Sequence, residues 1–388
     1  MSWIIPENKL DEQQRDFVDN VNINQRNVWI KGFPGSGKSV LLAYTIKKIK
    51  RQSPSASIVV VVFTHSLITM FKAAFREMNV RVDVITYFDF MKSSRSYDYI
   101  LSDEVQDLTP SVLREMNNRG NHVIVAGDEN QSIYEKAPRT NEATVTPSEI
   151  SSLLNSRAFS LNIIHRLTRS IIDVVNKFMP NMNIFSARRD MSKQSTQVRI
   201  CKAKDEDEEA RYIFKEGKNA INNAYTVGVL IPTHNAIIEF VNTILRNENK
   251  EEWEPTTNRW GSIDFSSLNS HLNRCGIPMQ YVGNGVGSFT EDTRKIAVMT
   301  YHSSKGLDFD NVFLPGLNQQ LSITYNEGRN KTLFMVAMTR SRNNLYLTYS
   351  GIKHAYLDRF SSDCHIIDIH AYLNQQSNAF GGGMFGGI

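Results

Sequence analysis

The chain has 388 residues, with 44 Lys and Arg against 40 Asp and Glu and a pI near 8.8. That length fits two domains of ordinary size, and the small basic excess permits a nucleic-acid partner without demanding one. Cys201, Cys275 and Cys364 stand far apart, which excludes a zinc knuckle and argues against a disulfide framework. No apolar run reaches membrane-spanning length, and residues 1–10 lack the basic start and apolar stretch of a signal peptide. The expectation is a soluble, cytoplasmic protein with no membrane partner.

Leu10 to Arg15 opens an amphipathic segment with Phe17, Val18 and Val21 on one helical face, and the Gln14 amide can pair with an adenine edge. A β-like run, Val28-Trp29-Ile30, then leads into Gly32-Phe33-Pro34-Gly35-Ser36-Gly37-Lys38-Ser39, and a helical run from Val40 to Lys50 follows. This is the pattern of a phosphate-binding loop. Glycines at Gly32, Gly35 and Gly37 let the backbone curl around Ser36 so that consecutive N–H groups face one anion, aided by the helix N-terminus. Lys38 would reach the outer phosphates, and the Ser39 hydroxyl would ligate Mg²⁺.

Ser57 to Phe63 is a nearly unbroken β-branched run, the pattern of a strand buried on both faces, with Phe63-Thr64-His65 at its carboxyl end. A helix is predicted over Ser66 to Met78, and a short strand over Val80 to Ile85 ends in Thr86-Tyr87-Phe88. The strand Tyr97 to Ser102 runs into Asp103-Glu104-Val105-Gln106-Asp107. In a nucleotide hydrolase Asp103 would hold Mg²⁺ through water, and Glu104 would polarise the attacking water. Thr109-Pro110 starts a helix, and the strand His122 to Ala126 ends in Gly127-Asp128-Glu129-Asn130-Gln131-Ser132-Ile133-Tyr134. Strands and helices alternating over this region predict a parallel, doubly wound sheet with every motif at one edge. Thr146-Pro147-Ser148-Glu149 is a capping box for a further helix.

Leu161-Asn162-Ile163-Ile164-His165-Arg166-Leu167-Thr168 precedes an apolar helix (Ile171, Ile172, Val175) that ends near Pro180. Val198 to Cys201 and Val227 to Ile231 read as strands of a second α/β unit. The carboxylates of Asp205 to Glu209 complement the dipole of the helix between them and carry no chemistry. Arg246 to Pro255 and Tyr281 to Gly287 read as surface connections. The strand Ile296 to Thr300 feeds Tyr301-His302-Ser303-Ser304-Lys305-Gly306-Leu307-Asp308-Phe309, with Val312 to Leu314 as the next strand. Val336-Ala337-Met338-Thr339-Arg340-Ser341-Arg342 precedes the strand Leu345 to Tyr349. The Gln- and Gly-rich end, from Gln375 on, is of low complexity and is expected to be flexible.

The order of these motifs resembles the superfamily 1 helicases of the UvrD/Rep type, over roughly residues 10 to 350. The resemblance implies an α/β fold of two RecA-like P-loop NTPase domains with parallel sheets and ATP in the interdomain cleft. It places domain 1 at residues 1–155, domain 2 at 156–373 and a flexible tail at 374–388. His165-Arg166 is similar to the family's Asn-Tyr-Arg-Ser motif, in which the tyrosine stacks on adenine and the arginine points at the γ-phosphate from the second domain. His302 to Phe309 is similar to His-x-x-Lys-Gly-Leu-Glu-Phe, which touches DNA and nucleotide; Gly306 and Asp308 fall on the nucleotide side, with Asp308 replacing the usual glutamate. Thr339-Arg340-Ser341 resembles the Thr-Arg-Ala motif. The implied catalytic set is Lys38, Glu104, Gln131 at the γ-phosphate, and the arginines Arg166 and Arg340 at the transition state.

Phe63, Thr64, Thr86, Tyr134 and His302 are the implied DNA contacts. Where the family usually reads Gly-Trp-Arg-Gly, with a tryptophan that stacks a base, this chain reads Glu135-Lys136-Ala137-Pro138. The spacing between Thr86 and Asp103, and between Ile231 and Arg294, leaves no room for the inserted 1B and 2B domains of longer relatives. Two functions follow as expectations. One is an ATP-driven translocase or helicase on single-stranded DNA, 3′ to 5′, with RNA open as an alternative strand. The other is a non-unwinding, nucleotide-gated subunit that loads or regulates a nuclease partner.

Overall fold

The computed structural model describes residues 4–128, 136, 141–180, 188–189, 196–259, 261–289 and 294–381. The chain divides into two units, Met1–Arg166 with Met182–Lys193, and Leu167–Asn181 with Gln194–Ile388. Six parallel strands build the first: β1 (Val28–Gly32), β2 (Ile58–Val62), β3 (Asp83–Thr86), β4 (Tyr97–Ser102), β5 (Gly120–Gly127) and β6 (Arg157–Leu161). Their spatial order is β3-β2-β4-β5-β1-β6.

Cover on both faces explains the unbroken apolar run of β2. Ile58, Val60 and Val62 enter one core, together with Val28, Ile30, Leu101 and Ile124, against α1 (Glu12–Asn20), α2 (Lys38–Gln52) and α3 (His65–Glu77). Val59 and Val61 enter the other, with Trp29, Ile100, Val123 and Val125, against α4 (Tyr87–Lys92), α5 (Pro110–Arg119) and α6 (Pro147–Leu154). Successive side chains of a strand point to opposite faces, so a strand clad on both sides favours an apolar residue at every position. Each fully buried valine contributes roughly 1.5–3 kcal/mol.

Several sequence expectations shift. Tyr87 and Phe88 begin α4 rather than end a strand, because Thr86 caps that helix: its Oγ1 accepts the Asp89 N–H at 3.1 Å and donates to Asp89 Oδ2 at 2.7 Å. The first unit also extends past the boundary expected at residue 155. β6 lies in register beside β1, from Val28↔Arg157 to Gly32↔Leu161, and carries the chain as far as Arg166 into the first unit. Beyond β6, β7 (Ile163–Ile164) pairs with β8 (Arg188–Arg189).

The second unit begins with α7 (Arg169–Phe178) and holds a seven-stranded parallel sheet. Its strands are β9 (Arg199–Ala203), β10 (Val227–Ile231), β11 (Met279–Tyr281), β12 (Ile296–Thr300), β13 (Phe309–Leu314), β14 (Ser341–Ser350) and β15 (His365–Asp368), in the order β11-β12-β10-β13-β14-β9-β15. Val229, Ile231, Val298 and Phe313 share a core with side chains of α8 (Glu206–Asn222), α9 (His234–Asn247) and α10 (Phe265–Arg274). Phe178 of α7 makes edge contacts with Phe334 of α11 (Glu327–Met338) and Tyr356 of α12 (Ala355–Asp358), at 5.2 and 5.0 Å.

The two expected surface connections are partly core. Trp253 is buried, and Tyr281 forms the edge strand β11 and stacks on Phe265 at 3.9 Å between ring centres. The final helix, α13 (Ile369–Gly381), takes in the start of the segment expected as a tail from residue 374, and residues 382–388 lie outside the described residues.

Candidate active site

The loop between β1 and α2 is shaped by two glycines in left-handed backbone, Gly35 at φ 75° and Gly37 at φ 88°. Close approach demands them as well. A Cβ on Gly35 would lie 2.3 Å from Arg166 Cβ, and one on Gly37 would lie 2.3 Å from Gln14 Nε2. Lys38 is buried and folds back across the loop, its Nζ donating to the carbonyls of Gly32 at 2.8 Å and Phe33 at 3.1 Å. Burial lowers its pKa, opposed by Asp128, Glu104 and Asp103. The three carboxylates favour the charged amine against its burial, and the two main-chain carbonyls satisfy its N–H groups.

The tip of β4 supplies the acids. Ser39 Oγ donates to Asp103 Oδ2 at 2.5 Å, so the two hard oxygen ligands that Mg²⁺ prefers already meet. Burial, and then the Glu104 charge, pushes the Asp103 pKa up to about 6. Glu104 itself sits in left-handed backbone (φ 54°), its N–H donating to Asp103 Oδ1 at 3.0 Å. Its carboxylate accepts from Gln106 Nε2 at 2.5 Å, and Gln106 Oε1 accepts the Asp128 N–H at 3.1 Å. Gln106 belongs to the motif read in the sequence, but nothing local signals that its amide bridges two strand ends.

Gln14, His165 and Arg166 gather on the same loop. Gln14 is buried; its Nε2 donates to Ser36 O and its Oε1 accepts the Asp11 N–H, both at 3.1 Å. The amide proposed for an adenine edge thus braces the phosphate loop in this structure. His165 Nε2 meets Asp11 Oδ2 at 2.5 Å, and the N–H groups of His165 and Arg166 donate to Gly35 O at 2.9 and 3.2 Å. The resemblance puts Arg166 in the second domain, whereas here it belongs to the first unit, because β6 beside β1 returns residues 162–166 to Gly35.

Of the expected DNA contacts, Phe63 stacks on Tyr87 with ring centres 5.2 Å apart and 15° between planes. Tyr87 was not singled out from the sequence, although it directly follows Thr86. Thr64 caps α3 through the Leu67 N–H at 3.4 Å. Gln131 and Tyr134 lie outside the described residues.

The second unit holds the remaining motifs. His302 lies in the turn after β12, where burial, and then Arg329, pushes its pKa down to about 4. Gly306 takes φ 83°, and Asp308 Oδ1 pairs with Arg342 Nη2 at 2.5 Å. Arg340 is 2% exposed. Its guanidinium donates to Val336 O at 2.9 Å, Leu307 O at 3.3 Å and Thr339 Oγ1 at 3.1 Å. Nor is the acidic start of α8 uniformly solvated. Glu209 is buried, accepts from the Gly316 N–H at 2.8 Å and Thr348 Oγ1 at 2.5 Å, and has its pKa pushed up to about 7 by burial.

Fold and loop define a P-loop nucleotide-binding protein with a second parallel α/β unit. Residues 14–137 match the profile of an AAA domain, and residues 277–351 match that of the UvrD-like helicase C-terminal domain. Together these matches support a superfamily 1 helicase of the UvrD/Rep type. It is 28% identical over 140 residues to a Mycoplasma capricolum protein named "Probable DNA helicase II homolog", covering 34% of this chain and 19% of that one. It is 37% identical over 67 residues to the RecBCD enzyme subunit RecB of Chlamydia pneumoniae, covering 17% of this chain and 6% of that one. The chain therefore spans a small fraction of the length of these relatives.

Among solved structures, a Bacteroides Pif1 helicase in complex with ADP-AlF3 and ssDNA aligns over 96% of this chain and 98% of its own, at 15% identity and a TM-score of 0.47. An Arterivirus nonstructural protein 10 helicase with DNA aligns over 84% and 61%, at 15% identity and a TM-score of 0.42. Among the described residues no helix is long and apolar enough to cross a membrane.

Proposed function

We propose that this chain hydrolyses Mg²⁺-ATP to move along single-stranded DNA, in the 3′ to 5′ direction. The observation that carries the hydrolytic part is the joined set at the carboxyl edge of the first sheet: Lys38 on the loop carbonyls, Ser39 on Asp103, and Glu104 beside them. Lys38 and the loop N–H groups bind the phosphates; Ser39 and Asp103 hold the metal, which neutralises phosphate charge when bound. Glu104 orients and polarises the attacking water, and Arg166 and Arg340 stabilise charge on the transferred phosphoryl group. Phe63, backed by Tyr87, offers a ring for stacking on a base.

ATP hydrolysis measured with and without single-stranded DNA tests this reading. Stimulation by DNA is expected, with loss of activity in Lys38→Ala and a fall of roughly 10²–10⁴-fold in Glu104→Gln. Activity that survives both substitutions overturns it. The short match to RecB favours a second reading, in which the same ATP cycle gates DNA binding for a nuclease partner without strand separation. A duplex with a 3′ tail separates the two: unwinding supports the motor, and nucleotide-dependent binding without unwinding or directional movement supports the gate.

A further inference from the structure

Gln106 is 3% exposed and lies between two strand ends that are neighbours in the sheet, β4 leading to Asp103-Glu104 and β5 leading to Gly127-Asp128. Its amide orientation is fixed by chemistry. The Asp128 N–H needs an acceptor and the Glu104 carboxylate needs a donor, so Oε1 must face the first and Nε2 the second, at 3.1 and 2.5 Å. The β5 end is shaped to admit it. A Cβ on Gly127 would lie 2.3 Å from Gln106 Oε1 and 2.8 Å from Val105 Cγ1, so only glycine lets the amide approach this backbone. On the other side Glu104 holds a left-handed backbone that a non-glycine residue adopts at a cost, which aims its side chain at the amide.

We propose that Gln106 is a positioning residue: it holds the Glu104 carboxylate in one orientation for attack by water and ties that orientation to Asp128 at the end of β5. The inference rests on the reading of the chain as an ATPase. A free glutamate side chain spreads over several rotamers, and a charge-assisted bond from a fixed amide selects one of them. Because the amide's other end is anchored on the Asp128 N–H, the orientation of the hydrolytic carboxylate is referred to the backbone at the end of β5.

The test is steady-state ATP hydrolysis by the full chain, saturated with a single-stranded oligonucleotide, for Gln106→Met and Gln106→Glu beside Glu104→Gln. Gln106→Met keeps the volume and removes both bonds, whereas Gln106→Glu keeps an acceptor for Asp128 and removes the donor to Glu104. Both are expected to lose roughly 10–100-fold in kcat, as removal of a partner that orients a functional group does. The KM for ATP and the binding of a fluorescent ADP should hold, the signature of an interaction made in the transition state. In the Glu104→Gln background the Gln106→Met loss should vanish, because the positioning role of Gln106 runs through that carboxylate.

An unchanged kcat in Gln106→Glu, or losses that multiply in the double variant, overturns the proposal while leaving the ATPase reading intact. A parent chain without ATP hydrolysis overturns both. Should Gln106→Met fail to fold, the comparison of Gln106→Glu with the parent decides.

Discussion

The two units share a parallel α/β plan, yet α2 of the first and α9 of the second begin differently at the carboxyl edge. α9 of the second unit follows β10 through Pro232-Thr233, and Thr233 Oγ1 accepts the Ala236 N–H at 3.3 Å. α2 of the first unit follows β1 through Gly37, which offers no side-chain cap. A capped helix has satisfied part of its own supply of free N–H groups, whereas one led by glycine leaves them to an external anion. An anion site is thus made by withholding a cap. The basic groups differ in the same sense. Lys38 rests on two carbonyls, and Arg340 is enclosed by three acceptors that fix it in the second unit.

This contrast can be broken at several points. The largest effect is expected from Gly37→Thr, which brings a side chain against Gln14 and a strained φ: ATP hydrolysis and fluorescent-ADP binding should both fall to background. Next come the arginines. Arg166→Ala and Arg340→Ala should each lower kcat by roughly 10³–10⁵-fold if they act on the transition state. Arg340→Ala should lower the thermal midpoint more than Arg166→Ala does, since it also empties a buried, fully bonded position. Equal kcat in Arg340→Ala and the parent would confine that residue to folding.

A smaller effect is expected at Glu209, whose folded pKa of about 7 lies above the ordinary carboxylate value. Its contribution to stability is then present at pH 4 and lost as pH rises through 7, because folding holds the proton more tightly than the unfolded chain. Glu209→Gln keeps an oxygen for Gly316 and Thr348, so it should leave stability at pH 4 unchanged and raise it at pH 8 by roughly 1–3 kcal/mol. Denaturant unfolding at the two pH values checks this. The smallest is Thr233→Ala, which should cost about 1 kcal/mol in the second unit and leave nucleotide binding untouched.

What the sequence made legible was local. The β2 valines, the phosphate loop, the acids at the β4 tip and the capping box at Thr146 each rest on residues within one turn or strand of each other. What it hid depended on partners far along the chain. Arg166 goes with the first unit only because β6 pairs with β1 more than a hundred residues away, and Gln106 acquires its bridge only when β5 lies next to β4. Glu209 is the intermediate case. It looked like one carboxylate of five, but it shares a helical face with the buried Ile213, four residues on, so its phase within α8 carried the signal that its charge obscured.

The path of the chain between the units has a practical outcome. α7 (Arg169–Phe178) belongs to the second unit, yet β8 (Arg188–Arg189), later in the chain, pairs with β7 of the first, and β9 (Arg199–Ala203) is again in the second. Neither half is therefore a contiguous stretch of gene. A protease cut or a stop codon near residue 155 would strip β6 from the edge of β1 and uncover Gly35, whereas splitting the protein into two exchangeable parts would require joining segments that the ribosome makes apart.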